Sequence, residues 1–252
     1  MQQIFTLVMF ELERAFTRRQ AALYLSAFTF LWYLMIRFAV LNLPALTAPN
    51  ANPAEWADAA MLGYFNIGLY VFCLLSMLAC ANQTCADRGR GTLRFLTLRC
   101  SRLTVFTARF IAQCSIFSIL ILLVTTAVFM VLCIHVGFSA SLLLNASLYA
   151  LVLIISILPF IALMAVLSVS INASRKVSVA AVFIWAMAAS IITGLSHYVP
   201  VLSVLEYLVP GSQFDTLLKY EGTGLLLQST VPLLQTAVLF SLGALLMKRQ
   251  AL

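Results

Sequence analysis

The sequence predicts an all-α, polytopic membrane protein with six transmembrane helices and both termini in the cytoplasm. An amphipathic interfacial helix precedes the first span, and a short cytoplasmic helix lies between spans two and three. Three observations carry this. Of 252 residues, 63% are hydrophobic and only 9% are charged, whereas a soluble domain is about 45–50% apolar and about 25% charged. The apolar runs are long enough to cross a bilayer and do not alternate, which excludes a β-barrel. The basic residues gather on one side of the spans. A soluble enzyme, a disordered chain and a disulfide-stapled secreted module are all excluded.

The elements follow in order. In residues 2–20, Phe5, Val8, Leu12 and Phe16 recur at helical spacing, with Glu11, Arg14 and Arg18 on another face. That pattern is an amphipathic helix lying on the inner leaflet. Spans are expected at about 21–41, 59–81, 105–133, 142–170, 177–195 and 224–247, so that residues 1–252 form a single transmembrane domain. The third and fourth are separated by argument. No Lys, Arg, Asp or Glu occurs between Arg109 and Arg175. One straight helix through that stretch would measure roughly 98 Å at 1.5 Å per residue, over twice the bilayer thickness. The turn belongs at 135–141, where His, Gly and two Ser interrupt the run. Residues 42–58, with Pro44, Pro49 and Pro53, form a short outer loop. Residues 196–221 are too short to span and too apolar for a free loop. They are expected to form short helices dipping into the outer interface, broken at Pro210.

Orientation follows from charge. With the N-terminus inside, the inner segments hold thirteen of the fifteen basic residues and leave only Arg37 and Lys219 outside. The inner side then carries +10 and the outer side −3, within a net charge of +7. The reverse topology would place the basic excess on the wrong face. The same argument reads the net positive charge as orientation, and no nucleic-acid partner is expected.

Chemistry is sparse. There is no G-x-x-x-x-G-K-[ST] and no H-E-x-x-H. His135 and His197 are the only histidines, and no carboxylate pair falls at membrane depth. The six cysteines (Cys73, Cys80, Cys85, Cys100, Cys114 and Cys133) lie in apolar runs or in the basic segment. They read as reduced packing residues. No catalytic residue and no metal site is expected.

The distinctive stretch is Asp87-Arg88-Gly89-Arg90-Gly91-Thr92-Leu93-Arg94 and its continuation to Arg102. Thr92 can cap a helix. Leu93, Leu96, Cys100 and Leu103 then form an apolar ridge with Arg94, Arg99 and Arg102 beside it. Such a ridge suits docking into a groove of a soluble partner. It equally suits an inner-leaflet helix whose arginines hold lipid phosphates, and spacing alone does not choose.

This run after the second span resembles that of ABC-2 type permeases, the membrane subunits of ATP-binding cassette exporters. The resemblance extends to the amphipathic start, the six spans and the outer segment with its proline before span six. Cys100 stands where the family often has proline, and Arg88 and Arg90 where a second acid is common. The resemblance implies a coupling helix Thr92–Arg102, with Asp87, Gly91, Thr92, Leu93, Arg94, Leu96, Arg99 and Arg102 contacting a separate ATPase subunit. ATP and Mg would be held by that partner, in two copies, with no cofactor in this chain. A second permease subunit, identical or different, would complete the pathway, through Tyr64, Asn66 and Phe72 on span two and Ala181, Trp185 and Ala188 on span five. Ordinary core packing is the competing reading for each of these. A bacterial inner membrane is the implied location, with lipid around the spans. The competing function is a non-transporting membrane protein that docks a cytosolic partner; an intramembrane enzyme ranks below both.

Overall fold

The structure is a computed structural model. It describes residues 2–17, 26, 29–30, 32–34, 36–37, 52–82, 84–85, 100–171, 176–177, 179–185, 187, 191, 207, 209–219 and 223–249. Among these residues there is no strand. The named helices are α1 (Gln2–Thr17), α2 (Pro53–Ala79), α3 (Arg102–Val136), α4 (Ala140–Ser170), α5 (Phe214–Leu217), α6 (Thr223–Gln228) and α7 (Thr230–Arg249). Four stretches are long and apolar enough to cross a membrane: Glu55–Ala79, Arg102–Val136, Ala140–Ser170 and Gly224–Arg249. The last joins α6 and α7 through Ser229. Of the expected span at 21–41 eight residues are described, and of that at 177–195 ten of nineteen; these residues are helical.

Three boundaries differ from the sequence reading, each for a local reason. The outer loop was expected to run to Asp58, but α2 already begins at Pro53. Proline suits the first helical position because its fixed φ is already helical and its missing N–H would have had no partner there. The Asn52 N–H is held by Glu55 Oε2 at 3.3 Å. The second difference lies at the other end of the basic segment. Arg102 is not the last residue of a coupling helix but the first of α3. Ser101 caps α3 by accepting the Thr104 N–H on Oγ at 3.1 Å, and Cys100 and Ser101 are not helical. The third is the turn expected over 135–141. It is shorter, because α3 continues to Val136 and α4 starts at Ala140.

The chain divides into two compact units. One comprises Met1–Leu12, Cys73–Ser115 and Ile155–Leu252; the other comprises Glu13–Phe72 and Ile116–Ile154. In the first, Val105, Phe106, Ala165, Val169 and Met247 form a buried cluster joined by Phe110, Phe240 and Ala244. Gly243 lets α7 approach there, with Phe106 and Val166 filling the space a side chain would need. In the second, Phe65 stacks on Tyr149 with ring centroids 4.7 Å apart, and Gly68 admits Leu153 against α2. Without a hydrophobic drive between helices in lipid, such close packing is what holds them.

Candidate functional site

The first unit contains two polar anchorages within largely apolar surroundings. The first joins α1 to the start of α3. Val8 is buried against Ala108 and Ala112, with Ile4, Leu7 and Leu12 around it. Ala108 and Ala112 lie one turn apart, and their small side chains let α1 come close. On the same face, Glu11 Oε1 accepts a charge-assisted hydrogen bond from Arg109 Nε at 3.2 Å. Arg109 is only 4% exposed. An arginine inside an apolar run is costly without a counterion, and Glu11 supplies it.

The stripe read on α1 as lying on the inner leaflet divides in the structure. Val8 and Leu12 pack inward, while Phe5 is 69% exposed, and Met9 and Phe10 share its exposure. Phe16 belongs to the same helix. The inward face is set by Ile4, Leu7, Val8, Glu11 and Leu12, so α1 carries apolar residues on two sides. The signal available in the sequence was Arg109 itself. A cation beyond the first turn of an apolar helix requires a partner, and Glu11 was read only as lying on another face from the apolar stripe.

The second anchorage holds the segment between the expected spans five and six. Residues Val209–Gln213 make a turn at which Gly211 has φ of 91°, a conformation that costs glycine little. Phe160 of α4 lies against it, where any Cβ would meet the ring at 3.1 Å. The turn then leads into the four-residue helix α5. Gln235 of α7 faces the turn. Its Nε2 donates to the carbonyls of Tyr207 at 2.6 Å and Val209 at 3.2 Å. It also exchanges hydrogen bonds with Gln213, each amide donating to the other's oxygen at 3.3 Å. Trp185 Nε1 donates to the Pro210 carbonyl at 2.6 Å. Gln228 Nε2 adds a bond to Thr216 Oγ1 at 3.2 Å.

The described residues of this segment, 207 and 209–219, pack against Phe160 of α4 and Gln235 of α7. Buried irregular backbone is tolerated only where protein or water satisfies it. Gln235 and Trp185 do so, and Gln213 and Gln235 are 2% and 6% exposed. Pro159, inside α4, frees the Ile155 carbonyl one turn before Phe160.

Of the residues expected on a pathway, Tyr64 is fully buried and its hydroxyl meets Thr125 Oγ1 at 2.6 Å. Thr125 in turn donates to the Ile121 carbonyl, so the Tyr64 hydroxyl is the donor to Thr125. Phe72 is buried in the same manner. Asn66 is half-buried, and its Oδ1 is buried with no hydrogen-bond partner among the described residues. Ala181 is buried, and Trp185 is committed to Pro210. Ala188 lies outside the described residues. So do Asp87, Gly91, Thr92, Leu93, Arg94, Leu96 and Arg99. Sequence reasoning missed Arg109, Gln213 and Gln235 as anchoring residues. A glutamine in the middle of an apolar span was the signal for the last.

The described residues form an all-helical protein with four helices long and apolar enough to cross a membrane. No model of a known protein family matches the chain, and a comparison with curated proteins finds no match.

Proposed function

We propose that the chain is the permease subunit of an ABC-2 type exporter, working as a homo- or heterodimer with two ATPase subunits in a bacterial inner membrane. In this reading it has six spans with both termini inside, and it hydrolyses nothing itself. The basic segment ending just before α3 receives force from the ATPase. The observation that supports this most directly is the lock between α1 and the first turns of α3. Glu11 and Arg109 tie the N-terminal helix to the helix that starts at Arg102, where the basic segment ends. A push delivered at residues 87–99 would therefore be shared by α1 and α3 as one body. The exposed Phe5, Met9 and Phe10 suit insertion of α1 into the inner leaflet. Asn66, with its unmatched buried acceptor, is better suited to a route for cargo than Tyr64 or Phe72, whose packing is complete.

The test is co-purification. The full chain, tagged and extracted from its own membrane, should bring down a nucleotide-binding subunit in about equal amount. Leu96→Asp should abolish that recovery while leaving the chain folded. Recovery unchanged in that variant, or a wild-type chain isolated intact with no ATPase, would sink the reading.

A further inference from the structure

The second unit contains a recess of about 410 Å³ where the start of α2 meets the α3–α4 turn. That volume is in the range of small-molecule sites. Its chemistry is one-sided. Among the described residues the lining carries one carboxylate, Asp58, together with Asn52, Ser139 and Ser141, and neither lysine nor arginine. Asp58 Oδ1 accepts a hydrogen bond from Asn145 Nδ2 at 3.2 Å, which fixes the carboxylate between α2 and α4 without neutralising it. Val136 and Gly137 bring the C-terminal end of α3 to the same place. There the final carbonyls have no intrahelical partner beyond the Gly137 N–H to Cys133 carbonyl bond of 3.0 Å, and the negative end of the helix dipole points outward. The start of α2 is already occupied by Glu55. Acceptors and negative charge thus outweigh donors.

The remaining wall is apolar: Ala57, Leu142 and Phe138, the last 72% exposed. Beside the recess, Trp56 meets His135 edge-on with centroids 6.1 Å apart. Trp enrichment at bilayer–water boundaries, together with the ends of three apolar helices, puts the recess at head-group level.

We propose that this recess binds an ammonium group carried on an apolar tail. The ammonium's three N–H donors match Asp58, the serine hydroxyls and the carbonyls at the end of α3, while Phe138 offers its ring to the cation and the tail follows the lipid-facing side. The proposal concerns binding to this chain alone and stands whether or not the exporter reading does.

The experiment is native mass spectrometry of the full chain released from maltoside micelles, titrated with dodecylammonium, dodecanol and dodecyl sulfate. Dodecylammonium should saturate at one adduct per chain, and the other two should not saturate. Asp58→Asn should weaken the adduct roughly five- to tenfold, the scale expected for one partly solvated charge pair. Ser139→Trp, which fills the recess and leaves Asp58 in place, should remove the adduct and settles the matter if Asp58→Asn fails to fold. Equal binding of dodecanol, or adducts unchanged in either variant, would overturn the proposal. Phosphatidylethanolamine added as competitor separates two sources of the same chemistry. Displacement of dodecylammonium identifies a resident lipid head group; dodecylammonium retained in its presence identifies a free amphiphilic amine.

Discussion

The two anchorages of the first unit solve one problem by different chemistry. Where α1 meets α3, the polar contact is an ion pair, Glu11 with Arg109, and Glu11 keeps 21% of its side chain exposed. Where the 207–217 segment meets α7, it is a neutral amide exchange between two glutamines, both nearly inaccessible. A full charge can be held near a helix end, where one partner keeps contact with the surroundings. Where both partners are nearly inaccessible the desolvation of an ion is too costly, and an amide, which donates and accepts at once, can satisfy backbone carbonyls without it. The chemistry of each contact follows its exposure.

That contrast can be broken at either side. Gln235→Leu should be the most damaging change. It strips the donor from the Tyr207 and Val209 carbonyls and from Gln213 in one step, at a cost of about 3 kcal/mol. The expected readout is a lower unfolding midpoint in detergent, with a cysteine placed at the buried Val209 becoming reactive to a water-soluble maleimide. Unchanged protection of that cysteine would remove Gln235 from its role. Glu11→Leu should cost less, about 2 kcal/mol, the scale of one charge-assisted hydrogen bond, because Glu11 is partly exposed. Replacing both Glu11 and Arg109 with apolar residues should recover most of the loss. If the double variant is no better than the single, the pair is not coupled.

Two smaller changes sharpen the comparison with purely apolar packing. Gly243→Ala puts a Cβ 2.6 Å from the Phe106 ring; moving that buried ring should cost about 1–2 kcal/mol, seen as a lower midpoint that Phe106→Leu partly restores. Tyr64→Phe removes only the hydroxyl bond to Thr125, which keeps its bond to the Ile121 carbonyl. The expected loss is about 0.6 kcal/mol, the average for such bonds between membrane helices. A much larger loss would mean that Tyr64 has a second duty.

Much of the fold was legible because hydrophobic length is a local property. The stretches 59–81, 105–133, 142–170 and 224–247 each coincide within a few residues with a helix long enough to span. Cap chemistry was only partly read: Thr92, chosen as a helix start, lies outside the described residues, and Ser101, with Thr104 three residues on, caps α3. The apolar stripe of α1 was read without saying which residues meet protein: Val8 and Leu12 of it pack, joined by Ile4 and Leu7, while Phe5 is exposed. Size in a sequence does not say which side of a two-faced apolar helix meets protein and which meets lipid.

Length and composition by themselves fixed a helical membrane protein, since 9% charged residues cannot clothe a chain of this size in water. Which polar side chains would find each other was decided only in three dimensions. Glu11 and Arg109 are 98 positions apart, and Gln213 and Gln235 are 22 apart. A polar group in an apolar run announces that it needs a partner, but the partner is chosen by the helix packing that brings two distant faces within hydrogen-bonding reach.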